Sequence, residues 1–107
     1  MNPELIERAI EDGHAIAAKL KKADTVAETN ALNEEIESYA DFVDNYFGVL
    51  NDFDEKTCEL SKMLYMAVDE KIRYLEYYHD TPTKNGNEDL TLFEDYLDSK
   101  TWIKSAE

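Results

Sequence analysis

The sequence predicts an all-α fold, a compact helical bundle of three long helices plus a shorter C-terminal fourth helix, and three observations carry that expectation. Only three Gly and two Pro interrupt 107 residues, while Ala, Leu, Glu and Lys, which enter helices at little cost, are plentiful. Apolar residues recur at intervals of three and four over long stretches, the period of a helix face. Hydrophobic residues make up 43% of the chain and aromatic residues 11%, enough for one core despite a charged fraction that would otherwise favour disorder. Residues 1–107, with no internal repeat, are expected to form a single acidic helical domain.

The first helix is expected over 3–22. Asn2 serves as its N-cap, Pro3 suits the first turn, and Glu4 and Glu7 lie near the positive end of the helix dipole. Leu5, Ala9, Gly13, Ile16 and Leu20 trace an apolar stripe, and Lys19, Lys21 and Lys22 complement the C-terminal carbonyls. A second helix is expected over 25–50, capped by Asp24 or Thr25, with Leu32, Ile36, Tyr39, Val43, Phe47 and Leu50 on its buried side. The pattern breaks over 48–54, where Asp52 or Asp54 can cap a third helix over 55–79 that Pro82 terminates.

Leu60, Leu64, Ala67, Ile72 and Leu75 form the stripe of that third helix. Met63, Tyr65, Met66 and Val68 widen it past half the circumference, more apolar surface than one neighbour covers. Pro82 and the Asn85-Gly86 pair mark a flexible, exposed loop over 81–87. Beyond it, Leu90, Phe93, Tyr96 and Leu97 keep helical spacing and give a fourth helix over 88–98, with Trp102 tucked against the bundle as an aromatic plug.

Composition narrows the function classes. The longest unbroken apolar run, Met63 to Val68, falls well short of the roughly 20 residues that span a bilayer. Asn2, Pro3 and Glu4 lack the basic flank of a secretory signal, and a lone Cys58 suits a reducing compartment, so a cytoplasmic location is expected. Eleven basic residues against 25 acidic ones give a net charge of -14, which repels phosphate backbones and anionic head groups. Direct binding to nucleic acid or membrane is therefore not expected. A charge-steered partner would present a basic surface, as a nuclease or another nucleic-acid-binding protein does.

No metal, cofactor or catalytic site is expected. Glu-x-x-His, the spacing that di-iron bundles place on facing helices, occurs at Glu11–His14 and Glu76–His79. Glu11 falls opposite the apolar face of its helix, with His14 on the flank, so neither is aimed at a shared core and each His is expected at the surface. Cys58 is surrounded in sequence by Asp52, Asp54, Glu55 and Glu59, a setting that disfavours a reactive thiolate. Phosphate-binding loops, zinc-ligand spacings and nucleophile motifs are absent from the sequence.

The acidic surface is the strongest functional signal. Between Ala23 and Glu55 lie Asp24, Glu28, Glu34, Glu35, Glu37, Asp41, Asp44, Asp52, Asp54 and Glu55, with neither Lys nor Arg. Glu34, Glu37, Asp41 and Asp44 follow offsets of three, four and three and so form one ridge on the outer face of the second helix. The expected role is that of a non-catalytic binding protein, of the immunity, anti-defence or nucleic-acid-mimic type. Its ridge, with Phe42 as an aromatic anchor and Asp52, Asp54 and Glu55 alongside, would occlude a basic site on a partner protein. Small size, acidity and helical fold class are shared with nuclease immunity proteins and bacteriophage inhibitors, though no sequence motif is. The alternative is a homo-oligomeric structural or assembly subunit, such as a homodimer, that uses Met63, Tyr65, Met66 and Ile72 of the third helix as an isologous face.

Overall fold

A computed structural model of the chain describes residues 2–80 and 85–103. The Asn2 side chain accepts the Glu4 backbone N–H at 2.9 Å and Pro3 occupies the first turn, so α1 runs Pro3–Lys22 as the sequence indicates. Thr25 starts the next helix by accepting the Glu28 N–H through its hydroxyl at 3.0 Å. The helix expected over 25–50 is not continuous, however. It divides into a single short helix, α2 (Val26–Asn30), and α3 (Asn33–Phe47), separated by a turn at Ala31 and Leu32. The bend allows α2 to pack on α4 and buries Thr29, whose hydroxyl donates back to the Thr25 carbonyl at 3.1 Å.

The all-α expectation also needs one amendment after α3. Val49–Leu50 (β1) pairs antiparallel with Lys56–Thr57 (β2), Val49 opposite Thr57 and Leu50 opposite Lys56. The intervening turn is organised by Asn51, whose side-chain oxygen accepts the N–H groups of Phe53 (2.8 Å) and Glu55 (3.2 Å). Because 56–57 are committed to this ribbon, the third long helix, α4, spans Glu59–Arg73 and not a segment beginning at 55. Its final turn widens into a π-helix over Tyr74–Tyr78. The last helix, α5, is Glu88–Ser99.

Neither Asp52 nor Asp54 caps α4. Its N-cap residue, Cys58, makes no side-chain capping bond; Asp44 on α3 instead accepts the Cys58 N–H and the Ser61 hydroxyl, both at 2.7 Å. The start of α5 is handled the same way, with Glu70 on α4 accepting the Asp89 N–H at 2.9 Å. In these two cases a carboxylate on the preceding helix accepts donors at the start of the next one, a cross-element version of N-capping. Of the loop expected over 81–87, residues 81–84 lie outside the described residues. Gly86 is buried, not exposed: it adopts φ 75°, and a Cβ there would lie 2.8 Å from the Tyr74 side chain.

The longer helices neighbour one another in the order α1, α3, α4, α5 and back to α1. Arg8 stacks on Phe42 while Lys19 pairs with Glu35, so α1 and α3 are antiparallel. Leu20, Ile36, Val43, Leu60, Leu64, Leu90, Phe93 and Leu97 fill the space between them. Trp102 closes one end, its indole N–H donating to the Leu97 carbonyl at 2.8 Å and its ring edge-on to Phe47 at 4.9 Å. Lys71 is buried as well, donating to the Lys21 carbonyl (3.2 Å) and to Asn87 (3.0 Å); burial lowers its pKa against the pull of Asp24 and Glu88. Among the described residues no helix is long and apolar enough to cross a membrane.

Candidate protein-binding site

Helix α3 turns its apolar residues to α1 and α4 and leaves Glu34, Glu37 and Asp41 exposed in one row. Among the described residues no cation pairs with these three, whereas the adjacent Glu35 is bound by Lys19 through both oxygens at 2.9 Å. Asp44, the fourth member of the expected ridge, is half-buried and engaged with Cys58 and Ser61, so it serves the fold. Tyr65 on α4 lies beside the row. Burial, followed by the charges of Glu37, Asp41 and Asp44, pushes the pKa of its hydroxyl up.

Phe42 is not the aromatic anchor expected from the sequence. It is only 8% exposed, sits within 6.5 Å of Tyr39, Tyr46 and Phe47, and is covered by the Arg8 guanidinium 4.3 Å above the ring. The physical reason is the antiparallel α1, which brings Arg8 over the shoulder of α3 and makes Phe42 part of the core edge. The most exposed aromatic among the described residues lies further along the chain. Phe53, at the tip of the β1–β2 turn, is 83% exposed, with Leu50 also exposed and Asp52, Asp54 and Glu55 around it.

The face proposed for self-association does not form a single surface. Met63 and Ile72 are half-buried against the core, because α3 and α5 flank α4 on both sides. Tyr65 is directed to the acidic row, while Met66 lies by Leu92 of α5, where Met63 and Asp89 complete a small depression. A larger open groove of about 550 Å³ runs between the end of α4 and the start of α5, lined in part by Met66, Tyr74 and Tyr78 and by Asp69, which pairs with Arg73 at 3.1 Å.

One cluster has no counterpart in the sequence-based expectations. His14 is not a solitary surface histidine: its Nδ1 lies 2.7 Å from Glu94 and its Nε2 lies 2.6 Å from Asp98, both on α5. Lys21 binds the other oxygen of Glu94. The bond to Asp98 raises the His14 pKa, partial burial opposes it, and Glu94 adds to the rise. Burial would raise the Glu94 pKa, but the bonds from Lys21 and His14 outweigh it and hold the carboxyl below its ordinary range. Both ring nitrogens face carboxylates, so the imidazole is occupied as a clasp between α1 and α5. Two carboxylates four residues apart on the flank of α5 were the available sequence signal.

Among the described residues no group of three or more His, Cys, Asp or Glu is placed to hold a metal ion, and Cys58 is buried. Comparison with known protein families, characterised proteins and solved structures gave no match to this chain. The fold and surface define a small, acidic, mostly helical protein that, among the described residues, carries an exposed carboxylate row on α3 with no cation paired to it and a projecting apolar turn.

Proposed function

We propose that this protein is a non-catalytic acidic binding protein of the inhibitor type, acting in the cytoplasm by occluding a basic site on a partner such as a nuclease or another nucleic-acid-binding protein. The observation that carries this reading is the row Glu34, Glu37 and Asp41, exposed and without a cationic partner among the described residues, in a stretch of sequence with no Lys or Arg. Like charges at such spacing on a helix cost about 0.2–0.5 kcal/mol per pair. The protein carries that cost on α3 while α1, which has Lys19, Lys21 and Lys22, forms ion pairs across to α3 and α5. A run of carboxylates about 5 Å apart along the axis resembles a run of phosphates to a basic groove.

The test is affinity capture from source-cell extract at low and high salt, using the wild type and the triple variant Glu34→Lys/Glu37→Lys/Asp41→Lys. Asp44 is left intact because it caps α4. A basic partner retained at low salt, released at high salt and absent from the variant supports the proposal; equal capture by a variant of unchanged circular dichroism refutes it.

A second reading, self-association, is favoured by the exposure of Met66 and Leu92 side by side on the α4–α5 side. Sedimentation would show a dimer that Leu92→Glu dissociates; a wild-type monomer at tens of micromolar rules it out.

A further inference from the structure

The most exposed large apolar side chain among the described residues, Phe53, is held in a fixed turn. Two backbone bonds close it, Asn51 N–H to the Glu55 carbonyl at 2.9 Å and Asp54 N–H to the Asn51 carbonyl at 3.2 Å. The Asn51 side chain closes it again from inside by accepting the Phe53 and Glu55 N–H groups. Asp54 takes the left-handed conformation, φ 60°, that completes the turn. The ring is therefore projected from a preorganised support, which limits the entropy lost when it is immobilised by a partner. Leu50, 65% exposed, extends the apolar surface, and Asp52, Asp54 and Glu55 rim it with three negative charges.

We propose that the β1–β2 turn is the anchor of the binding interface, with Phe53 inserting into an apolar pocket on a partner protein whose rim carries Lys and Arg. This rests on the acidic-binding reading above and gives it a centre: an aromatic anchor buried within a polar rim is the usual anatomy of a protein interface. Charge selects the occupant. Insertion into an anionic membrane would bring three carboxylates and a net charge of -14 against the head groups. A second copy docking tip to tip would oppose two identical acidic rims, a repulsive arrangement. A basic-rimmed protein pocket satisfies both the ring and the carboxylates.

The experiment places a photoreactive benzoylphenylalanine at position 53, at position 37 on the α3 row, or at position 92 as a control, in the full chain, and irradiates each in source-cell extract. Cross-linked peptides are sequenced, and unlabelled wild type and Phe53→Ser compete for the site. The expected result is a cross-link from 53 to an apolar segment flanked by Lys and Arg, stronger than from 92. Wild type should compete about tenfold to hundredfold better than Phe53→Ser, the range expected from burying one aromatic side chain. Cross-links from 37 alone would overturn the anchor and leave the acidic-binding reading standing, and cross-links from neither would overturn both. Cross-links from 53 to lipid or to a second copy of this chain would overturn the proposed occupant, as would equal competition by Phe53→Ser.

Discussion

Replacing His14 by Gln should weaken the protein most below pH 6.5, with the loss fading as pH rises through the raised histidine pKa. In the native fold one ring nitrogen lies 2.7 Å from Glu94 and the other 2.6 Å from Asp98, and both contacts are hydrogen bonds only when both nitrogens carry protons. Fully buried, two charge-assisted bonds would contribute about 1.5–3 kcal/mol each. The His14 side chain is 35% exposed and that of Asp98 60%, so solvent screening brings each nearer the roughly 0.2–1 kcal/mol of surface pairs, or about 1 kcal/mol together.

The pH window follows from the two shifts. The His14 pKa is raised above 6.5, so its contribution is complete below 6.5 and is lost as pH rises through the raised value. The Glu94 pKa is lowered from 4.5, so its contribution is present above 4.5 and is lost as pH falls through the lowered value. The clasp is at full strength between 4.5 and 6.5. Thermal unfolding of wild type and His14→Gln near pH 5.5 should differ by about 4 °C, the shift that ~1 kcal/mol produces in a domain of this size. Comparing the two proteins at each pH cancels the repulsion common to both. A gap of the same size at about pH 9, well above the ordinary histidine range, would refute the charged clasp.

Other substitutions probe the packing and the capping. Trp102→Ala removes a buried ring and its bond to the Leu97 carbonyl and should cost about 3–5 kcal/mol in chemical denaturation; a loss below ~1 kcal/mol would mean that the indole is not a core residue. Asp44→Ala should cost about 1–2 kcal/mol by uncapping α4, whereas Glu37→Ala should be nearly neutral, and equal effects would contradict the division of roles along α3. Gly13→Ala tests the closeness of the helices, because its Cβ would lie 2.5 Å from Leu97 Cδ2 and 2.8 Å from the Tyr39 hydroxyl, which is bound to the Ala9 carbonyl. Helix propensity alone would make that change stabilising by about 1 kcal/mol; crowding should reverse the sign and cost about 1–3 kcal/mol. Guanidinium titration of the variant decides between them.

The parts of the fold legible in the sequence are those governed by local rules. Asn2 and Pro3 begin α1, Thr25 begins α2, and the stripe of Leu5, Ala9, Gly13, Ile16 and Leu20 identifies an inward face whose central residues are buried. What escaped is long-range. The start of α4 depends on Asp44, fourteen residues earlier on another helix, and not on the nearby Asp52 or Asp54. The β1–β2 ribbon has two-residue strands, too short for alternation to be detected, and its turn is set by the hydrogen bonds of Asn51.

The candidate site divides in the same way. Glu34, Glu37 and Asp41 are exposed as helical spacing requires, because a surface row depends only on the local axis. Phe42 and Ile72 depend on which neighbours cover them, and a single helix cannot disclose that. The exposure of Phe53 and the engagement of His14 were hidden for the same reason: one is exposed by a turn, and the other is engaged by carboxylates 80 and 84 residues away.

The proposed steering of the protein onto a basic partner by the α3 row is tested most directly by the association rate with a captured partner as a function of salt. For the wild type kon should fall steeply as salt rises, whereas Glu34→Lys/Glu37→Lys/Asp41→Lys should associate slowly with little salt dependence. Equal rates and equal salt dependence for the two proteins would contradict it.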